Sequence, residues 1–373
     1  FNNTFLTRTT FANGLASAFT QDFDRKNKGV GFQGKLGADY YASEKTVFGV
    51  MIDANTVKTK LNNFSNTLIN EVQSNVASSN SVLQDAYSNS PANNLTANFN
   101  IKHDFDKTGK NISFDVDYSN FNNKKDEQFN ARYLNQGGQQ TNTTLLRNNT
   151  DANIDIFAAK TDFTLPINKT MKFETGLKSS YVVTNNDFLS EQFLLDAWEN
   201  DLGKSNNFVY KENINAAYLN FSTPLSKKIS AQFGLRLENT ITDGHSTGFR
   251  YNTAINRFGN FDTSFNKNYT QLFPTAYFQY KANANNNFGA NLGRRVRRPN
   301  YQSLNPFINF IDRYTFSQGN PNLKPSVSNN IELSHSWKNK ITTTINYTST
   351  KDIIESVIEQ KGLEAYNMPA NIA

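Results

Sequence analysis

Strict alternation of apolar and polar side chains, repeated in segment after segment, is what most limits the folds open to this 373-residue chain. In "FQGKLGADY", Phe32, Leu36, Ala38 and Tyr40 share one face, and Gln33, Lys35 and Asp39 share the other. After the turn "ASEK", the apolar face resumes with Phe48, Val50, Ile52 and Ala54. "LTANFNIKH" sets Leu95, Ala97, Phe99 and Ile101 opposite Thr96, Asn98, Asn100 and Lys102. Past "DKTGKN", Ile112, Phe114, Val116 and Tyr118 oppose Ser113, Asp115, Asp117 and Ser119. A period of two is the signature of a strand, because a helix would scatter those residues around its circumference.

Further hairpins pair residues 154–165 with 171–181, 210–222 with 229–241, 272–281 with 287–297, and 330–337 with 341–350. "FTLPINKTMKFETGLK" (Phe163 to Lys178) aligns without gaps to "FSTPLSKKISAQFGLR" (Phe221 to Arg236), which marks a repeated strand–turn–strand unit. A further strand is expected to begin near the C-terminal "NIA".

The lengths of the connections narrow the choice. Turns within hairpins are about four to six residues. Connections between hairpins (Asn55–Asn94, Phe121–Asp151, Val182–Phe208, Thr242–Tyr269 and Arg298–Asn329) run to about 27–40 residues, too many long loops for a compact soluble domain. Outer-membrane barrels have this asymmetry, with short periplasmic turns and long extracellular loops. Strands of about nine to thirteen residues suit a tilted crossing of ~30 Å of hydrocarbon. Aromatics at strand ends (Tyr40, Tyr41, Tyr118, Phe121, Tyr181, Tyr280, Trp337, Tyr347) fit interfacial girdles. The polar faces carry Lys35, Asp39, Asp115, Asp117, Lys172, Glu174, Lys178, Arg236 and Glu238, which cost little facing a wet lumen.

The expected fold is therefore all-β, an antiparallel transmembrane β-barrel of the outer membrane. About 12–14 strands are expected within the chain, as part of a larger barrel of ~22 strands, since open edges do not survive in lipid. Residues 1–373 read as one domain, a fragment of that barrel. The opening "FNNTFLTRTT" has neither an initiator methionine nor a signal peptide, so the chain reads as an internal piece, without a plug.

Composition excludes more than it assigns. Phe (31) and Tyr (16) are abundant, which favours strands joined by Asn/Ser/Gly turns. With no cysteine, disulfides and thiolate metal sites are ruled out. A net charge of +6, from 38 basic and 32 acidic residues, is too balanced to imply nucleic acid.

The enzyme case is thin, and neither a catalytic residue, a metal nor a cofactor is expected. His103, His245 and His335 lack metal-ligand spacing and read as surface or interfacial side chains. Asp115 and Asp117 share a strand face, where a solvated lumen wall is preferred to an acid–base pair. "NNTDANID" (Asn148 to Asp155) offers oxygen ligands that calcium would take if the segment were a loop.

"RRVRRPNYQSLNPF" concentrates four arginines at Arg294, Arg295, Arg297 and Arg298. Counting about nine to eleven residues from the turn "ANANN" puts them at the extracellular boundary. Alternation points Arg295 and Arg297 into the lumen, and Arg294 and Arg298 toward the headgroups. Arg295, Arg297 and Tyr301 are the candidate ligand or rim residues. Four prolines (299, 306, 321, 325) stiffen the loop that follows.

That loop carries a resemblance. Arg298-Pro299 with Tyr301, Leu304-Asn305-Pro306-Phe307, Gly319-Asn320-Pro321, Leu323-Lys324-Pro325 and Glu332-Leu333 resemble the signature of the Bacteroidota-type outer-membrane β-barrel family. This is the C-terminal barrel region of TonB-dependent receptor-like proteins. "DFDRKNKG", "GADYYASEKTVFGV", "FVYKENINAAYLNFS", "FGLRLENT", "LFPTAYF" and "AYNMPANI" extend it along nearly the whole chain. The resemblance implies a multi-pass outer-membrane barrel that imports a large ligand, powered by the TonB complex through an N-terminal region absent here. It also admits a second role, as a structural or accessory subunit of a multi-protein outer-membrane complex. Outer-membrane lipid and lipopolysaccharide are expected partners, with the TonB complex and surface lipoproteins or other outer-membrane subunits beside them.

Overall fold

The computed structural model describes residues 2–12, 15–73, 76–252, 254–306, 308–312, 315–361 and 364–372. The chain is built almost wholly of strands. The first seven are β1 (Asn2–Ala12), β2 (Leu15–Ser43), β3 (Thr46–Gln73), β4 (Val76–Asp104), β5 (Asn111–Leu134), β6 (Gln140–Pro166) and β7 (Lys172–Leu194). After them come the short β8 (Ala197–Asn200), then β9 (Asn206–Pro224), β10 (Ile229–Asn252), β11 (Arg257–Asn283) and β12 (Asn286–Arg297). A single helical turn, α1 (Tyr301–Leu304), precedes β13 (Ile308–Asp312) and β14 (Thr315–Gln318). β15 (Ser326–Trp337), β16 (Ile341–Lys351), β17 (Ile353–Lys361) and β18 (Glu364–Ile372) complete the order.

Fourteen strands form one antiparallel meander in chain order, from β1 to β12 and on to β15 and β16, with β8 folded back on β7. Among the described strands the sheet does not close, since β16 pairs β15 alone. Every short-turn hairpin expected from alternation is present, with Ala38 opposite Val50, Phe99 opposite Val116 and Phe278 opposite Ala290. The repeated unit is real at the level of its turns. Ile167 N–H donates to Met171 O and Leu225 N–H to Ile229 O, at 2.9 and 2.8 Å. The aligned Asn168 and Ser226 side chains each accept from two backbone N–H groups of their turn.

The expected long loops are the main correction. Asn55–Asn94 is not a loop, because β3 and β4 stay paired from Thr46–His103 to Gln73–Val76. Phe121–Asp151 and Thr242–Tyr269 are paired in the same way over most of their length. Within Val182–Phe208 the strand β7 runs on to Leu194, and β8 returns along it. The strands β2 to β7 are therefore 23 to 29 residues long, against the nine to thirteen expected. About 9–11 residues suffice to cross the hydrocarbon, so more than half of each strand stands clear of it. Above the membrane neither face meets lipid, so polarity need not alternate: Ser65 is buried beside Ile69 on one face and Phe64 and Leu68 are exposed on the other, while the ladder bonds persist. "NNTDANID" lies within β6, where alternate side chains face opposite ways, so no loop of calcium ligands forms. Instead, Asp151 pairs with Lys124 at 2.8 Å, and Asp155 accepts from Tyr118 at 2.9 Å.

Only Arg298–Asn329 behaves as a loop with its own fold. Its strands β13 and β14 join β17 and β18 in a second, four-stranded sheet at the end away from the short turns. The C-terminal segment thus enters this small sheet and does not start a new strand of the wall.

Candidate functional site

The lumen face follows from the alternation. Outward go Phe157, Leu177, Leu219, Leu237, Leu272 and Leu292; inward go Lys160, Asp162, Glu174, Arg236 and Glu238. Inner charges pair along one strand face, two residues apart: Lys160 with Asp162, Lys172 with Glu174 at 2.8 Å, Arg236 with Glu238.

The loop after β12 folds over the mouth of this wall, and its first residue anchors it. The ladder ends at Arg297–Ser326, so alternation no longer governs Arg298. Its side chain turns inward, not toward the headgroups as expected. There it ion-pairs with Glu238 and donates to Thr240 Oγ1 at 3.2 Å. Glu238, 10% exposed at its side chain, thus accepts from both Arg236 and Arg298. Pro299 donates no N–H and suits the point where the ladder stops. Asn300 then caps α1, its side chain accepting from Ser303 N–H at 2.8 Å.

Beyond α1 the signature residues hold the loop together. Leu304 and Leu323 are buried against Phe208 and Tyr210 of β9, with Phe265 and Tyr301 packed around them. Burial raises the Tyr210 hydroxyl above the usual tyrosine range. Asn305 is buried, and Pro306 accepts from Gln318 Nε2 at 2.6 Å. Gly319 tolerates no side chain, since a Cβ there would sit 2.2 Å from the Asn305 carbonyl oxygen. Asn320 makes a tight turn by accepting from Asn322 N–H at 2.9 Å, while its own N–H donates to Ser303 O at 2.6 Å. The carbonyls of Pro321 and Leu323 accept from Lys267 Nζ at 2.6 and 2.7 Å. Burial draws that ammonium below the usual lysine range. Lys324, followed by Pro325, trades backbone bonds of 2.8 and 3.0 Å with the Asn371 side chain of β18. Phe307 lies outside the described residues.

Two cavities flank the loop. One, of about 690 Å3, lies against the wall and is lined by Lys160, Arg236, Glu238, Arg295 and Arg298. The other, of about 510 Å3, separates Tyr301, Gln302 and Asn305 from Lys125, Glu127 and Asn186. Arg295 and Tyr301 therefore line different spaces, and Arg297 is exposed beside its partner Ser326. Sequence reading missed Glu238 as the anchor of Arg298, and missed Lys267 and Asn371 altogether. The charge of Glu238 on the inner face was visible, but a partner 60 residues away was not. The histidines are spread apart: His103 bonds Thr46, His245 bonds Asp262 and His335 bonds Asn286, at 2.8, 2.8 and 2.9 Å.

The chain matches the sequence model of the outer membrane protein beta-barrel family over residues 103–373. Among solved structures it is similar to a double mutant of the Serratia marcescens hemophore receptor HasR in complex with HasA and heme. Identity there is 11%, coverage 91% of this chain and 58% of that one, and the TM-score 0.53. It is also similar to the ferric yersiniabactin uptake receptor FyuA from Yersinia pestis (13% identity, 88% and 54% coverage, TM-score 0.46). The ferric-catecholate import receptor Fiu from E. coli K12 is a third (10%, 93% and 60%, 0.46). The chain spans a little over half the length of these receptors. Among curated proteins, none matches it. With an open antiparallel wall, an apolar outer belt and a signature loop folded over its mouth, the chain belongs to the outer membrane protein β-barrel family and crosses the outer membrane many times.

Proposed function

We propose that this chain is the barrel part of a TonB-dependent receptor-like transporter that takes up a large ligand bearing anionic groups. Further strands complete the wall, because the free edges of β2 and β16 would expose unpaired backbone groups to lipid. The observation that carries the reading is the lumenal cavity beneath the signature loop. Lys160, Arg236, Arg294, Arg295 and Arg298 line it with Glu238 as the sole lining carboxylate among the described residues, an excess of positive charge. Such a site holds carboxylate or phosphate oxygens through forked guanidinium contacts. The protein itself performs no reaction on its cargo; energy arrives through the TonB complex, and surface lipoproteins assist capture.

The test is uptake in the native host. Loss of the protein, or loss of TonB, is expected to abolish accumulation of the cargo. Arg295→Ala with Arg297→Ala weakens capture while heat-modifiable migration on gels, the mark of an assembled barrel, is kept. Uptake that persists without TonB would overturn the transporter reading and leave a scaffold role in an outer-membrane complex.

A further inference from the structure

A second cavity, of about 610 Å3, lies far from the lumen on the outward face of the extended hairpins. Its position is set by register. Asp24, Phe64, Asp85, Asn130 and Leu145 form one cross-strand row, and Lys26, Asn62, Tyr87, Gln128 and Arg147 the next. Counting by twos, these rows continue the outward face that carries Leu36, Ile52, Phe99, Val116 and Phe157 in the belt below. Tyr87 stands 17 residues up β4 from the short-turn end at Asp104 (104 − 87). The hydrocarbon takes only about 9–11 of those, so the cavity sits above the outer leaflet, on the side facing neighbouring lipid.

Its lining has a definite chemistry. Phe64, Tyr87 and Trp198 present rings that are 41%, 39% and 37% exposed, three large aromatics grouped at one opening. Trp198 is fixed in place. Leu195 and Asp196, with φ of 46° and 66°, make the two-residue turn that folds β8 back. Phe193 packs edge-on at 5.4 Å, and the Arg147 guanidinium lies 4.5 Å over the indole. The cations beside the cavity are already engaged: Arg147 with Glu191 at 2.8 Å, Arg132 with Asp85 at 3.3 Å, and Lys26 with a partner of its own. What is left open to a ligand is amide capacity, since Asn62 and Gln128, on either side of Tyr87 in one row, are exposed and make no side-chain hydrogen bond among the described residues. Flat apolar rings beside free side-chain amides suit a ligand with hydrophobic faces and many hydroxyls, and they do not suit a phosphate.

We propose that this cavity binds the oligosaccharide of outer-leaflet lipopolysaccharide, tying the raised hairpins to the glycan layer around the barrel. A sugar ring stacks on Trp198 or Tyr87, and its hydroxyls bond the Asn62 and Gln128 amides. The site acts independently of transport, on the opposite face of the wall from the lumen.

The test titrates the full chain in detergent, by calorimetry, with oligosaccharide released from the host's own lipopolysaccharide, and separately with lipid A. The oligosaccharide is expected to bind saturably. Trp198→Ala and Tyr87→Ala each weaken it about tenfold or more, as truncating an aromatic anchor does. Trp337→Phe, at the short-turn end, leaves it unchanged. Should Trp198→Ala lose heat-modifiable migration, Asn62→Ala and Gln128→Ala take its place, with the same weakening expected. No saturable binding of the oligosaccharide, binding that survives these substitutions, or equal competition by lipid A would each overturn the proposal.

Discussion

Replacing Arg298 by alanine should open the signature loop without unfolding the wall beneath it. Arg298 gives Glu238 one of its two charge-assisted bonds and gives Thr240 another bond at 3.2 Å, with side chains 21% and 10% exposed across the ion pair. Removing one partner of a buried pair costs about 3–5 kcal/mol when the other is left bare. Here Glu238 keeps Arg236, so the loss lies nearer that of a hydrogen bond to a charged group, about 2–3 kcal/mol. At 1.4 kcal/mol per factor of ten, the opened loop gains roughly 30- to 150-fold in population. Hydrogen exchange read by mass spectrometry measures this directly. The amides of Ser303, Asn320 and Lys324, each bonded within or across the loop, should exchange faster by that factor, while those of β2 and β3 stay protected. Arg297→Ala is the control, because its exposed side chain makes no ion pair among the described residues. Glu238→Gln combined with Arg298→Ala should cost less than the sum of the two single changes, as coupled partners do. Equal exchange in wild type and Arg298→Ala, or an Arg297→Ala effect of the same size, would refute the anchor.

Gly319→Ala places a methyl 2.2 Å from the Asn305 carbonyl oxygen and should displace the Asn305–Gly319 contact, so that loop amides lose protection even with Arg298 intact. Wild-type exchange across residues 315–324 would contradict this. On the outer extension, the Arg147 guanidinium holds the Glu191 carboxyl below the usual glutamate range. A depressed carboxylate stabilises the fold fully above its unfolded pKa, about 4.3, and loses that contribution as pH falls through the lower folded value. Both side chains are partly solvated, so the contribution stays under about 1 kcal/mol. Exchange of the β7–β8 amides should rise modestly between about pH 5 and pH 3 in wild type, with a smaller rise in Arg147→Ala; equal acid sensitivity in both would sink the assignment.

The sequence exposed the membrane-crossing part of the fold because lipid outside and water inside force a period of two. Leu36, Ala38 and Tyr40 could be placed on one face for that reason, and the structure pairs them with Ile52, Val50 and Phe48 as the alternation requires. The upper halves were illegible by the same physics. In "NNFSNTLINEVQ" burial alternates, with Ser65 and Ile69 buried and Phe64 and Leu68 exposed, but with no lipid on either face polarity does not follow burial, yet all twelve lie in β3. Strand formation there rests on backbone pairing with β4, which leaves little trace in side-chain pattern.

The candidate site divides along a similar line. Gly319, Asn320 and the prolines could be flagged from local chemistry, because a turn is decided by a few neighbouring residues. The partners that fix the loop could not, since Glu238, Lys267 and Asn371 lie 47 to 60 residues from the groups they hold. Arg298 shows the cost of extending a local rule one step too far. Counting by twos was sound up to Arg297, where the ladder ends opposite Ser326. At the next residue, freed from the pleat, a buried carboxylate outweighs alternation, and the arginine assigned to the headgroups becomes the pin of the lumenal loop.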